Sequence, residues 1–134
     1  MTFDIVNPGS LGEPRGWNNG MLAPPGGRVL YVAGQVATDA TGRVIPGDMA
    51  AQWERALENV LAVVDAAGGG PEAIGRMTIF VTDREAYLAA RKALGQVWRR
   101  LMGRHYPAMT VVEVNALVED GAVVEIEATA VVRD

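Results

Sequence analysis

The sequence predicts an α+β domain in which two helices cover one face of a mostly antiparallel β-sheet. Three observations carry this. Residues 123–132 alternate, with Val124, Ile126, Ala128, Ala130 and Val132 apolar, so one face of a strand is dry. Two longer stretches place apolar side chains at helical spacing: Trp53, Leu57, Val60, Leu61 and Val64, then Tyr87, Leu94, Trp98 and Leu101. Glycine and proline clusters separate the segments, and 134 residues make one domain spanning 1–134.

In chain order, residues 3–6 read as a short strand, and the Asn-, Gly- and Pro-rich stretch to residue 28 as an irregular loop. The apolar run 29–33, ending at Gly34-Gln35, reads as a strand buried on both faces. Residues 39–47 form a turn with a short return strand at 43–45. Asp48 caps a helix to about residue 67, which Gly68-Gly69-Gly70-Pro71 ends. The β-branched segment 76–82 is a strand. Asp83 caps a second helix to about Met102, stopped by Gly103 and weakened by Gly95. Residues 109–114 and 123–132 are strands joined through a Glu119-Asp120-Gly121 turn.

Composition narrows the function. Half of the chain is apolar (49%), enough for a core, and the net charge of −4 disfavours nucleic acid as a partner. There are no cysteines, which removes thiolate nucleophiles and cysteine zinc sites, and one histidine, His105, which removes His-rich metal sites. No apolar run reaches the roughly 18 residues of a membrane span, and the N-terminus lacks the pattern of a signal peptide. The expectation is a cytoplasmic protein without a metal site or a membrane partner. Eleven of the twelve basic residues are arginine, spread along the whole chain, a bias of composition rather than of function.

Two helices cover only one sheet face. The other face of the last strand carries Val123, Glu125, Glu127, Thr129 and Val131, and a half-apolar open face on a small domain marks an interface between copies. Glu125 and Glu127, two residues apart on that face, are either a working pair of carboxylates or a solvated strand face. Arg91 stands at the centre of the second helix's stripe, where an apolar residue is expected. It either snorkels to water or points its guanidinium into a pocket or an interface. His105, with Arg99, Arg100 and Arg104, suits a helix C-terminus. Gly68–Gly70 lies at a helix end, not at the helix start that a phosphate cradle needs.

Several segments together resemble the RidA (YjgF, L-PSP) family: Tyr31-Val32-Ala33-Gly34-Gln35-Val36, Ala56-Leu57-Glu58-Asn59-Val60-Leu61, Thr78-Ile79-Phe80-Val81-Thr82-Asp83, Tyr106-Pro107-Ala108-Met109-Thr110-Val111-Val112-Glu113-Val114, and Val124-Glu125-Ile126-Glu127-Ala128. The resemblance runs from about Gly16 to the C-terminus. It implies a chorismate-mutase-like fold assembled as a homotrimer, with the sheets packed around a central axis and small-metabolite clefts between subunits. It implies cofactor-free hydrolysis of reactive imines and enamines to a carbonyl compound and ammonia.

By the same resemblance Glu125 is the catalytic acid/base and Gly34 lines the cleft. The arginine that grips the substrate carboxylate is replaced by Met109 in Pro107-Ala108-Met109-Thr110, and Trp17 stands for the usual phenol. Arg91 falls near a cleft asparagine of helix 2. Tyr87, one turn before it, and Thr110, beside Met109, complete the candidate substrate-binding set. Two functions follow: an imine/enamine deaminase of atypical specificity, or a non-catalytic trimeric member that binds a small ligand or another protein.

Overall fold

Asp48 begins the first helix as the sequence predicts: its side chain accepts the backbone N–H of Ala51 at 2.9 Å and satisfies one of the donors that every helix start leaves open. The helix, α1, runs Met49–Ala66 and buries Trp53, Ala56, Leu57, Val60 and Val64. In the computed structural model, which describes residues 2–133, it lies on a four-stranded sheet. The strands are β3 (Gly27–Gln35), β4 (Ile74–Val81), β5 (Ala108–Glu113) and β6 (Val124–Arg133), in the order β3-β6-β4-β5. β1 (Asp4–Val6) and β2 (Gly20–Leu22) form a separate antiparallel ribbon.

β6 holds the centre because its apolar set meets the helices. Val124, Ile126, Ala128, Ala130 and Val132 are all buried, while the alternate residues are not. Each fully buried aliphatic side chain there contributes about 1.5–3 kcal/mol. β6 pairs antiparallel with β3 and β4. The edge pair β4–β5 is parallel, because a helical crossover joins the two strands, so the sheet is mixed with antiparallel pairings in the majority. Gln52, 1% exposed, ties the end of the sheet to α1. Its Nε2 donates to the carbonyls of Ile45 (3.1 Å) and Gly121 (2.8 Å), and its Oε1 accepts from Val123 N at 2.8 Å.

Four expectations are corrected. The strand at 29–33 is not buried on both faces: it is a sheet edge, and its outer face, including Val29 and Tyr31 (80% exposed), is bare in the single chain. The predicted second helix is two helices, α2 (Arg84–Ala89) and α3 (Arg91–Met102), meeting at Ala90, with Gly95 accommodated in open space. The return strand at 43–45 shrinks to one bridge, Thr38 to Val44. The N-terminal loop contains β2, three residues long and paired with β1 across the irregular stretch between them, too short to leave a periodic pattern. Among the described residues no helix is long and apolar enough to cross a membrane.

Candidate functional site

A cavity of about 530 Å³ opens beside β5, under α2 and α3. Its deep wall is a row of aromatic rings. Trp53 and Trp98 are tilted at 46° with centroids 6.0 Å apart, and Tyr106 lies almost parallel to Trp98 at 5.9 Å. The row is pinned by the turn after α3. Trp98 Nε1 donates to His105 O at 3.1 Å, and the His105 ring Nε2 sits 2.6 Å from Ile74 O. His105 is structural, as its position after a helix implies. Trp53 is buried beside the cavity with its indole N–H lacking a hydrogen-bond acceptor.

The outer wall comes from the N-terminal loop. Asn18 N donates to Pro107 O (3.2 Å), and its side-chain amide donates to Tyr106 O (2.6 Å), which docks the loop on the start of β5. Asn7 bridges Asn18 and Asn19, and Trp17 Nε1 donates to Asn19 Oδ1 at 3.1 Å. The Trp17 indole thereby stands at the cavity mouth, 43% exposed. The sheet contributes Ile79, Met109 and Val111, which share the helix-side face through the β4–β5 register.

The charged lining consists of Arg15, Arg91 and Arg99, and no Asp or Glu lines the cavity. Arg91 is exposed, yet it lines the cavity beside Leu94, Gly95 and Trp98 of the same helix, and its Nε donates to Leu88 O at 3.3 Å. Its charge still reaches inward. Burial pushes the Tyr87 phenol above its ordinary value, while the Arg91 charge pulls it the other way. Among the described residues the ion pairs are Arg84–Glu85 and Arg100–Glu54, so the three lining guanidinium groups carry no such pairing.

The remaining candidates lie on the opposite face of the sheet. Glu125 pairs with Phe80, which pairs with Val112, while Glu127, Thr78 and Thr110 form the next row. Thr110 therefore points away from its neighbour Met109. Glu125 is half-buried and lies over Gly34, where a Cβ would overlap the carboxylate and come within 2.8 Å of its Cδ. Glu127 is exposed. The chain thus brings Trp17, Tyr87, Arg91 and Met109 together, brings Gly34 and Glu125 together, and holds these groups on two faces. Among the described residues no cluster of three His, Asp or Glu side chains is placed to hold a metal.

Sequence reasoning missed Arg15, Arg99 and Tyr106. Arg99 follows Arg91 by two helical turns, a spacing that puts both on one side. Arg15 sits in a loop and gives no periodic signal.

Comparison with known proteins agrees with this architecture. The family described as Endoribonuclease L-PSP matches residues 16–132. A RutC family protein of Pyrococcus horikoshii is 32% identical over 105 residues, 78% of this chain and 79% of the relative. The 2-iminobutanoate/2-iminopropanoate deaminase of Escherichia coli K12 is 35% identical over 107 residues, 80% of this chain and 82% of that enzyme. Among solved structures, a Rid-family protein of unknown function from Yersinia pestis superposes with a TM-score of 0.85 at 32% identity, covering 98% of this chain and 100% of its own. Family match, relatives and superposition span the same sheet and helices, and the chain belongs to the RidA (YjgF, L-PSP) family.

Proposed function

We propose that the chain is a cytoplasmic, cofactor-independent hydrolase of small imines and enamines, working in clefts between subunits of a homotrimer. The observation that carries this reading is Glu125 lying over Gly34: a half-buried carboxylate set against a backbone position that has no room for a side chain. A carboxylate held in this way and still partly exposed suits the handling of an attacking water's proton. It takes a proton from water as the oxygen adds to the imine carbon. Returned to the nitrogen, that proton completes a neutral carbinolamine, and the same carboxylate then carries the hydroxyl proton to the nitrogen as the C–N bond breaks, so that ammonia leaves and the carbonyl compound remains. Imine and water are consumed, and carbonyl and ammonia are formed.

The trimer is part of the proposal, because one chain holds Glu125 and the aromatic cavity on opposite sheet faces. A second copy covering the bare face around Val29, Tyr31 and Val112 would bring the acid/base of one chain toward the cavity of the next. The E. coli relative named as a 2-iminobutanoate/2-iminopropanoate deaminase supports the reaction class. Net charge −4 weighs against RNA as the substrate.

Met109 supports a second reading, a binding member without turnover, since methionine offers a carboxylate no charged fork. One experiment decides. Imines are generated in situ from neutral amino acids by an amino-acid oxidase, and the carbonyl product is followed with wild type and with Glu125→Gln, while ultracentrifugation gives the assembly. Acceleration by wild type that disappears in Glu125→Gln is the expected result. No acceleration by a trimeric wild type establishes the binding reading, and equal rates in both proteins overturn the role of Glu125.

A further inference from the structure

We infer that the cavity takes an anion with a bulky aromatic body, of the class of aryl-substituted 2-imino and 2-oxo acids, and that Arg91 holds its carboxylate. This deepens the hydrolase reading where the reacting group is concerned, while the binding itself stands on the cavity alone.

Three observations converge. The first is charge: in a chain of net charge −4, three arginines and no acidic residue line one cavity. That is a local reversal of sign that favours an anion. The second is surface: Trp17, Trp98, Tyr106 and Met109 line it with aromatic rings and a thioether, a surface that suits an aromatic guest better than a two- or three-carbon acid. The third is size. About 530 Å³ lies in the range that holds drug-sized ligands rather than small acids.

Among the three arginines, Arg91 is the anchor. Its Nε is tied to Leu88 O, which sets the plane of the guanidinium and leaves the terminal nitrogens for a bidentate contact. Its charge is felt at the Tyr87 phenol, so it acts on the cavity interior although its side chain is exposed. Arg99 lies two turns further along α3, about 12 Å along the helix axis, too far to share one carboxylate with Arg91. Met109, on the sheet side, then contributes apolar surface to the body of the ligand.

The test is calorimetric titration with three stable probes: 3-phenylpropanoate, propanoate and 3-phenylpropan-1-ol. Wild type is expected to bind 3-phenylpropanoate at least about tenfold more tightly than either of the others. Arg91→Gln is expected to lose roughly tenfold for 3-phenylpropanoate and nothing for the alcohol, and Arg91→Lys to recover part of the loss. Arg84→Gln removes an equal charge from α2 away from the cavity and serves as the control, with wild-type affinity expected.

If 3-phenylpropanoate binds no better than propanoate or the alcohol, or if Arg91→Gln binds it as wild type does, the inference is overturned. Equal losses in Arg91→Gln and Arg84→Gln overturn it as well, since net charge alone would then explain them. Because binding is read without turnover, an inactive protein that shows the expected pattern refutes the hydrolase reading and leaves this inference standing. An active one without the pattern does the reverse.

Discussion

The carboxylate of Glu125 occupies the space in which Gly34 would carry a Cβ, so the position of the acid is set by the absence of a side chain on the neighbouring strand. This contact joins the edge strand β3 to the centre of the sheet at the point where their register shifts, between Val32 and Gln35.

Gly34→Ala separates activity from stability. The new methyl meets the far end of a flexible glutamate, and Gly34 has no left-handed backbone angle that alanine would resist. The fold is expected to keep its Tm or gain slightly, since alanine costs less entropy than glycine in a strand. The carboxylate is displaced, and imine turnover falls on the order of 100-fold. Thermal melts and rates on the same preparation check both halves.

Met109→Arg tests what the methionine excludes. The side chain enters the cavity from the sheet side, where the variant adds a fork for a carboxylate. The expected result is a fall of roughly tenfold in the KM for imines of small neutral amino acids, with poorer use of aromatic ones. An unchanged ratio between the two substrate classes would show that Met109 does not set specificity.

Gln52→Leu removes three hydrogen bonds at once. The leucine is close in size but leaves the carbonyls of Ile45 and Gly121 and the Val123 N–H without the partner that each has in the part-buried end of the sheet. A loss of about 2–4 kcal/mol is expected from denaturant titration. The start of β6 is the segment released, so Glu125, two residues beyond Val123, should lose order in step.

Asp39 makes stability depend on acid. Its carboxylate accepts from the Thr41 hydroxyl, which holds it below its ordinary value of 3.8, and from the backbone N–H groups of Arg43 and Thr41. A group with a lowered folded pKa stabilises above its unfolded value and loses that contribution as pH falls through the folded one. Asp39→Asn is therefore expected to lower Tm at neutral pH and to flatten its decline in acid. Parallel Tm–pH curves for the two proteins would remove Asp39 from the acid response.

The helices and the central strand were legible because burial left a period. Trp53, Leu57, Val60 and Val64 recur on one face of α1, and the even-numbered residues of β6 do the same in the sheet. The edge strand was not legible, since the apolar run Val29–Ala33 predicts two dry faces and the single chain covers one. The break at Ala90 carries no glycine or proline to announce it. For Arg91 the sequence left open a snorkelling side chain or one that points into a pocket, since a stripe position fixes the direction of a side chain but not what lies beside it; the structure places it exposed, on the lining of the cavity. The split of the site between two faces follows from strand alternation, yet it became visible only once register placed Met109 with Met77 and Glu125 with Phe80.

All three tryptophans, Trp17, Trp53 and Trp98, border the same cavity. The intrinsic fluorescence of the protein is therefore a local signal rather than an average over the fold. Trp17 at the mouth reports solvent exchange, and Trp53 and Trp98 report the dry interior. The molecule carries its own optical probe of the cavity's occupancy.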